Sequence, residues 1–265
     1  MLTKQAFVFS ITNKDNPPAI FTTSEQAIPN MRLDKFVCKS TDLTKSNAVQ
    51  RIHDSDVLVN GVAVVDESAQ VHENNQITLN GELLTARPFR YLMIHKPANT
   101  ICSNVDEAYP SLFTGLGIER TSELHVAGRL DADTTGLVLV TDDGRWSFDI
   151  IRPTKHCKKV YVVGLSRTIA EDQVNNLIEQ FATGLQLQGE AQLTRSAQLE
   201  LISEKTVRLT ITEGKFHQVK RMFAAVGFRV VKLHREKIGE IALDIEMGAW
   251  RYLTETEVGS FKGEP

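Results

Sequence analysis

Between residues 128 and 136 the chain reads Gly128-Arg129-Leu130-Asp131-Ala132-Asp133-Thr134-Thr135-Gly136. Two carboxylates, a guanidinium and two hydroxyls crowd into this stretch, directly before the apolar run Leu137-Val138-Leu139-Val140. A short continuous apolar run predicts a central strand. A polar cluster at the end of such a strand has a rigid base and an open mouth, which is where side chains can act on a ligand. Paired carboxylates there suit acid–base hydrolysis or a magnesium site. The same residues also make an ordinary turn, with Asp and Thr bonding to nearby backbone. Spacing alone does not separate these readings.

Two further positions carry reactive or recognition chemistry. Tyr161 lies in a second apolar run, 160–165, where an aromatic ring either packs in the core or stacks on a ligand. Val219, Met222, Phe223 and Val226 recur at i, i+3, i+4 and i+7 and predict a helix, with Gly227 just beyond it. Lys220 and Arg221 differ by about 100° around that helix. Lys220 borders the apolar face and reaches toward any cleft beside the core, while Arg221 points farther outward. A solvated basic face is the plain alternative for both.

Charge is distributed unevenly. The net charge is -3, yet 215–237 holds seven Lys/Arg against Glu236 alone, and 151–161 holds four Lys/Arg and no acid. Two basic segments on an otherwise acidic protein suit a polyanion, or are solvated faces. No apolar run is long enough to span a bilayer, and 6–11 is too short and too polar in its surroundings for a secretory signal. Cys38, Cys102 and Cys157 form no CxxC pair, which predicts free thiols, no disulfide framework, no zinc site and a cytoplasmic protein.

The elements that must position these groups divide into modules. Residues 1–30 show no period and are interrupted by Pro17, Pro18 and Pro29, so they form an N-terminal extension. Residues 31–88 form a small αβ module. Leu33, Phe36 and Val37 have helical spacing, Thr44 or Ser46 can cap a second helix, and Asn60-Gly61 between β-branched runs marks a hairpin. Asn80-Gly81 closes another strand, and 82–90 forms a linker. Residues 89–265 form a larger α+β domain with strands at 91–94, 137–140, 160–165 and 207–211. Thr168 and Glu171 predict a capping box on a helix that ends at Gly184.

The 128–136 stretch with Thr141-Asp142-Asp143-Gly144 resembles the signature of the bacterial RNA pseudouridine synthases, nearest to members acting on small-subunit rRNA. Tyr91-Leu92-Met93-Ile94-His95-Lys96-Pro97, Lys158-Lys159-Val160-Tyr161, Glu213 to Phe223 and Leu233-His234-Arg235-Glu236 extend the resemblance. Met31-Arg32-Leu33-Asp34-Lys35-Phe36 resembles the start of the S4 RNA-binding module that precedes such domains. The resemblance covers about 31–255. It implies an α+β fold: an S4-like module, then a catalytic domain on a mainly antiparallel sheet with flanking helices.

The same resemblance implies the roles. Asp131 acts at the ribose of a flipped-out uridine, whose base detaches from C1′, turns and rejoins through C5. Tyr161 stacks on the base, and Lys220 pairs with Asp131. Arg129 contacts RNA or forms an ion pair with Asp133. Arg221, and Arg32, Lys35, Lys45 and Arg51 in the S4-like module, are further RNA-binding candidates. His95, Lys96 and His217 are weaker ones. An isomerisation implies no redox cofactor, metal or ATP, in keeping with the lack of a P-loop or dinucleotide fingerprint. The implied substrate is uridine 516 of 16S rRNA in an assembling small subunit, handled by a monomer in the cytoplasm. A synthase for 23S rRNA and a non-catalytic S4-type binding or assembly factor are the alternatives. Against the first stand Asp142-Asp143-Gly144 and His217-Gln218-Val219, where relatives of that branch often carry Asn-Asp-Gly and Asn-Arg-Glu-Val; against the second stands the presence of both Asp131 and Tyr161.

Overall fold

The computed structural model describes residues 30–72 and 74–261, so all but Asn30 of the N-terminal extension lies outside the described residues. The chain divides into two compact units between Pro88 and Phe89. In the smaller, β1 (Met31–Arg32) leads into α1 (Leu33–Ser40) and α2 (Lys45–His53). The strands β2 (Val57–Val59), β3 (Val62–Ala63), β4 (Gln70–Val71), β5 (Ile77–Leu79) and β6 (Glu82–Leu83) follow. Leu33, Phe36 and Val37 of α1 are buried, as their spacing predicts, and α2 buries Ile52 together with Ala48, leaving Val49 half-buried. Thr44 is the cap of α2, accepting a hydrogen bond from Asn47 N at 3.3 Å.

The strand order β3-β2-β5-β6 is made by hairpins at two Asn-Gly pairs. Asn60 and Gly61 have φ of 52° and 81°, and Asn80 and Gly81 have 52° and 84°. Two successive positive φ angles are what a tight two-residue hairpin turn requires. The stretch 82–90 is not the loose linker expected of it. Its first residues form β6, and Arg87 N donates to Lys39 O while Lys39 Nζ donates to Pro88 O.

The larger unit contains β7 (Tyr91–Lys96), β8 (His125–Ala127), β9 (Thr135–Thr141), α3 (Gly144–Ile151) and β10 (Lys159–Leu165). Then come α4 (Glu171–Thr183), β11 (Gln198–Ser203), β12 (Thr206–Ile211), α5 (Gln218–Ala225) and β13 (Val230–Ile238). It ends with β14 (Ile241–Ala242), β15 (Trp250–Tyr252) and α6 (Glu255–Gly259). One sheet runs β11-β12-β10-β13-β9-β7-β15, with β14 on β13 and β8 on β9. Every pairing is antiparallel except β13 with β9, where His234 aligns with Thr135 and Arg235 with Gly136. The fold is thus the α+β arrangement expected, a mainly antiparallel sheet with flanking helices.

The parallel contact has a strict steric condition. Gly136 has φ of 114°, and a Cβ there would stand 2.2 Å from the carbonyl oxygen of Arg235. Only glycine permits the two backbones to approach so closely. The core is formed on one side of the sheet by Leu177 and Phe181 of α4 and Val219, Met222 and Phe223 of α5, against Val163, Val207 and Leu209. The rings of Phe181 and Phe223 lie 4.9 Å apart and lock the two helices together. Leu137, Val138, Leu139 and Val140 are all fully buried, which explains why β9 reads as an unbroken apolar run.

One local expectation is overturned. Thr168 is not the cap of α4; the helix starts at Glu171 behind Ala170, with no side-chain cap bond. The reason lies in the preceding residues. Ser166 N donates to Arg229 O and Ile169 N to Glu204 O, which holds 166–169 extended against neighbouring chain until the helix begins.

Candidate active site

The loop carrying Asp131 joins β8 to β9 and is pinned at both ends from beneath. Lys96, at the end of β7, is fully buried, and its ammonium donates to Pro97 O, Ala132 O and Thr134 O at 3.0, 3.1 and 2.8 Å. Burial pushes its pKa down, with Cys102, Asp133 and Asp131 opposing that shift. Arg235, only 1% exposed, donates through Nη2 to Gly128 O at 2.6 Å and through Nε to Leu137 O at 2.8 Å. Two buried cations therefore fix the backbone on either side of the carboxylate. This loop is an open mouth on a rigid base.

Lys220 reaches the loop from α5. Its Nζ lies 2.9 Å from Asp131 Oδ2 and 2.6 Å from Asp133 Oδ1. Burial pushes the Lys220 pKa down, but the hydrogen bonds to Asp133 and Asp131 outweigh it and leave the pKa above its ordinary value. The Lys220 hydrogen bond in turn holds Asp133 below the usual carboxylate range. His217 Nε2 stands 3.4 Å from Asp131 Oδ1. Its backbone is left-handed, with φ of 47°, a conformation that costs a non-glycine residue about 1–2 kcal/mol. Glu213, buried below, steadies the approach to α5 by accepting from Arg195 N and Gln218 Nε2.

Tyr161 projects from β10 into the same cleft. Its register partner on β13 is Arg235, whose Nη1 lies 3.4 Å from the Tyr161 hydroxyl. The cleft encloses about 590 Å³ and is lined by Asp131, Tyr161, Lys220, His217, Arg129 and Arg235 among others. Asp131, Tyr161 and Lys220 therefore come together, as the motifs predict. Arg129 is exposed at the rim and makes no ion pair with Asp133, because Lys220 holds that carboxylate. Arg221 is not the outward, free cation that its place on the helix predicts. Its guanidinium is engaged by Glu190 Oε1 and by the carbonyls of Phe216 and Gln188.

In the smaller unit, Arg32 pairs with Asp34 at 3.0 Å and Arg51 with Asp56 at 2.8 Å. Lys45 is exposed at the start of α2 and Lys35 is half-buried on α1. Lys96 and Arg235 are the residues whose weight sequence reasoning missed. Both sit in motifs that carry the family resemblance, but only burial reveals that they hold the loop. His95 turns away from Lys96 along the strand and bonds to Ile245 O, with its ring 5.4 Å from that of His234.

Comparison with known proteins places the chain among relatives of one family. Residues 90–225 match the family model described as RNA pseudouridylate synthase. A Vibrio cholerae protein called ribosomal small subunit pseudouridine synthase A is 46% identical over 232 residues, covering 87% of this chain and 99% of that protein. The Escherichia coli K12 protein of the same description is 45% identical over 233 residues, with 87% and 99% covered. A solved structure described as a pseudouridylate synthase superposes with a TM-score of 0.63 at 44% identity, over 87% of this chain and 99% of that one. The strand that ends in Lys96, the loop that carries Asp131, the tyrosine of β10 and the lysine of α5 all fall within the matched residues, and the chain belongs to the RNA pseudouridylate synthase family of enzymes.

Proposed function

We propose that this enzyme isomerises uridine 516 of 16S rRNA to pseudouridine, with Asp131 as the catalytic carboxylate. The observation that carries the reading is the ion pair between Lys220 and Asp131, at 2.9 Å, over a cleft containing Tyr161. A carboxylate positioned by an ammonium can add to C1′ of a ribose or take a ribose proton. Tyr161 offers a ring for stacking and a hydroxyl for the edge of a flipped base. Arg129, exposed at the rim, meets RNA phosphate or fills the place the base has left. Arg221 acts indirectly, by holding the chain around Phe216 and Gln188.

The smaller unit is an S4-like RNA-binding module in this reading. Lys35, Lys45, Arg32 and Arg51 meet phosphates, which positions rRNA without reading its sequence. The substrate is rRNA in an assembling small subunit, and the enzyme acts as a cytoplasmic monomer. The choice of small-subunit rRNA is supported by the descriptions of the relatives and their near-complete coverage. The test is to map pseudouridine across rRNA from a strain lacking the gene. Loss at uridine 516 alone, restored by the parent gene but not by Asp131→Asn, is the expected result. Loss at a 23S position instead would overturn the substrate assignment.

A further inference from the structure

The roles given to Asp131, Tyr161 and Lys220 leave the cationic lining of the cleft unused. Lys159 opens β10 two residues before Tyr161, and the alternation of a strand puts both on one face. Both line the cleft, yet Lys159 is only 6% exposed. Its ammonium has three donors. One reaches Cys157 O at 3.3 Å, and no carboxylate pairs with it among the described residues. Cys157 supplies no anion, because burial pushes its thiol pKa up. Arg235 adds a second buried positive charge from the neighbouring strand. Burial pushes the Lys159 pKa down, and Arg235 reinforces that shift.

Two neighbouring buried cations without a neutralising carboxylate are unfavourable for the folded protein. They become favourable when a negative charge forms between them, since a preorganised, water-poor site stabilises charge strongly. We propose that Lys159, with Arg235 beside it, stabilises the detached uracil ring as an anion during the isomerisation. This rests on the assignment of the cleft and of Asp131 made above. The C1′–N1 bond breaks and its electron pair stays with the ring, spread over N1, O2 and O4. Asp131 takes up the ribose, by bonding to C1′ or by removing a ribose proton. The ring turns, and C5 bonds to C1′ as the Asp131–C1′ bond breaks or as Asp131 returns the ribose proton to the sugar; the proton then leaves C5 and N1 takes one up. Atoms and charge balance without a co-reactant. Lys159 meets the full negative charge only between departure and rejoining, so it accelerates the chemistry more than it tightens RNA binding.

The experiment compares leaving groups. Lys159→Met, Lys159→Arg and the parent are assayed in single turnovers on RNA carrying uridine or 5-fluorouridine at the target. Fluorine makes the departing ring a weaker base, so it needs less stabilisation. It also blocks proton loss from C5, so reaction is read as disappearance of the original nucleoside. Lys159→Met should slow uridine about a hundredfold, the scale of removing one charge-stabilising donor. RNA affinity should change less than about threefold. The defect should shrink to roughly tenfold or less on 5-fluorouridine, and Lys159→Arg should restore most of the rate. Equal slowing on both substrates, or an affinity loss that accounts for the slowing, would overturn the proposal. Lys159→Gln carries the same comparison if the methionine variant does not fold. Asp131→Asn is run alongside: activity there sinks the site assignment, whereas an inactive Asp131→Asn with substrate-independent Lys159 defects sinks only the role of Lys159.

Discussion

Lys220 Nζ lies 2.6 Å from Asp133 Oδ1, closer than it comes to the carboxylate of Asp131. Asp133 is 71% exposed and Asp131 lines the cleft, so the lysine bridges an outer and an inner carboxylate. Asp131→Asn removes the carboxylate proposed to react and should abolish turnover, with folding and RNA binding retained. Asp133→Asn leaves Lys220 with Asp131 alone and should lower the rate by no more than about tenfold, the scale expected for one exposed pair. Pseudouridine quantified by reverse-transcription stops after carbodiimide treatment distinguishes them. A dead Asp133→Asn beside an active Asp131→Asn would move the chemistry two residues along the loop.

The same pair fixes a pH dependence. The Lys220 hydrogen bond holds Asp133 below its ordinary 3.8, so the unfolded chain takes up that proton first as pH falls. The stability it contributes is present above pH 3.8 and is lost as pH falls through the folded-state value. Lys220 has the opposite sign: its pKa is raised above 10.5, so its contribution is present below that value and lost as pH rises through the folded one. Urea unfolding of the parent and Asp133→Asn should therefore differ by a constant amount between about pH 5 and pH 9, and converge in acid. A difference that persists undiminished near pH 2 would contradict the pairing.

Replacing Arg235 should damage fold and site together. Its guanidinium satisfies two backbone carbonyls, Gly128 O and Leu137 O, and touches Tyr161. Arg235→Met leaves both acceptors without that donor and should cost about 2–4 kcal/mol. Arg235→Lys keeps the charge but lacks the planar fork, so it should recover only part of that. Urea midpoints give the stability, and turnover at low temperature, where both variants stay folded, gives the site effect. Full activity in a folded Arg235→Met would show that the loop needs no such support.

Removal of residues 1–88 should leave a folded domain that binds rRNA weakly. The boundary between Pro88 and Phe89 divides two compact units, and the larger has its own core. Affinity measured across salt concentrations should fall, and its salt slope should flatten by about 0.7–0.9 for each phosphate that the shortened protein no longer neutralises. Unchanged affinity and slope would remove the smaller unit from RNA binding. Removal of 1–30 alone should leave modification intact, checked by solubility and rate of a protein starting at Met31.

Much of the site was legible because its motifs sit on strongly patterned elements. The apolar run after Gly136 is buried on both faces, and the i, i+3, i+4, i+7 spacing around Lys220 aims that lysine beside the core. The short strands β8, β14 and β15 have two or three residues each and carry no period of their own; their neighbours impose their structure. Arg235 was illegible for a different reason. In Val230 to Ile238 its charge reads as a solvent-facing residue on an alternating strand. Its partners at Tyr161 and Gly128 are 74 and 107 residues away, so enclosure becomes visible only in three dimensions. Lys159 hides likewise among the basic residues of 151–161.

The parallel contact of Gly136 with Arg235 also sets an order of assembly. Hairpins such as β11 with β12 close locally, whereas the strands that meet at Gly136 are separated by about half of the larger unit. Long-range pairings close late, because the intervening chain must first surrender its freedom. The loop of Asp131 and the tyrosine of β10 are therefore made early on a growing chain, but the arginine that joins them arrives almost last. A nascent chain that stops short of β13 holds the acid, the aromatic ring and the lysine of α5 without the strand that seats them, so it ought to be incapable of modifying an RNA until synthesis has nearly finished.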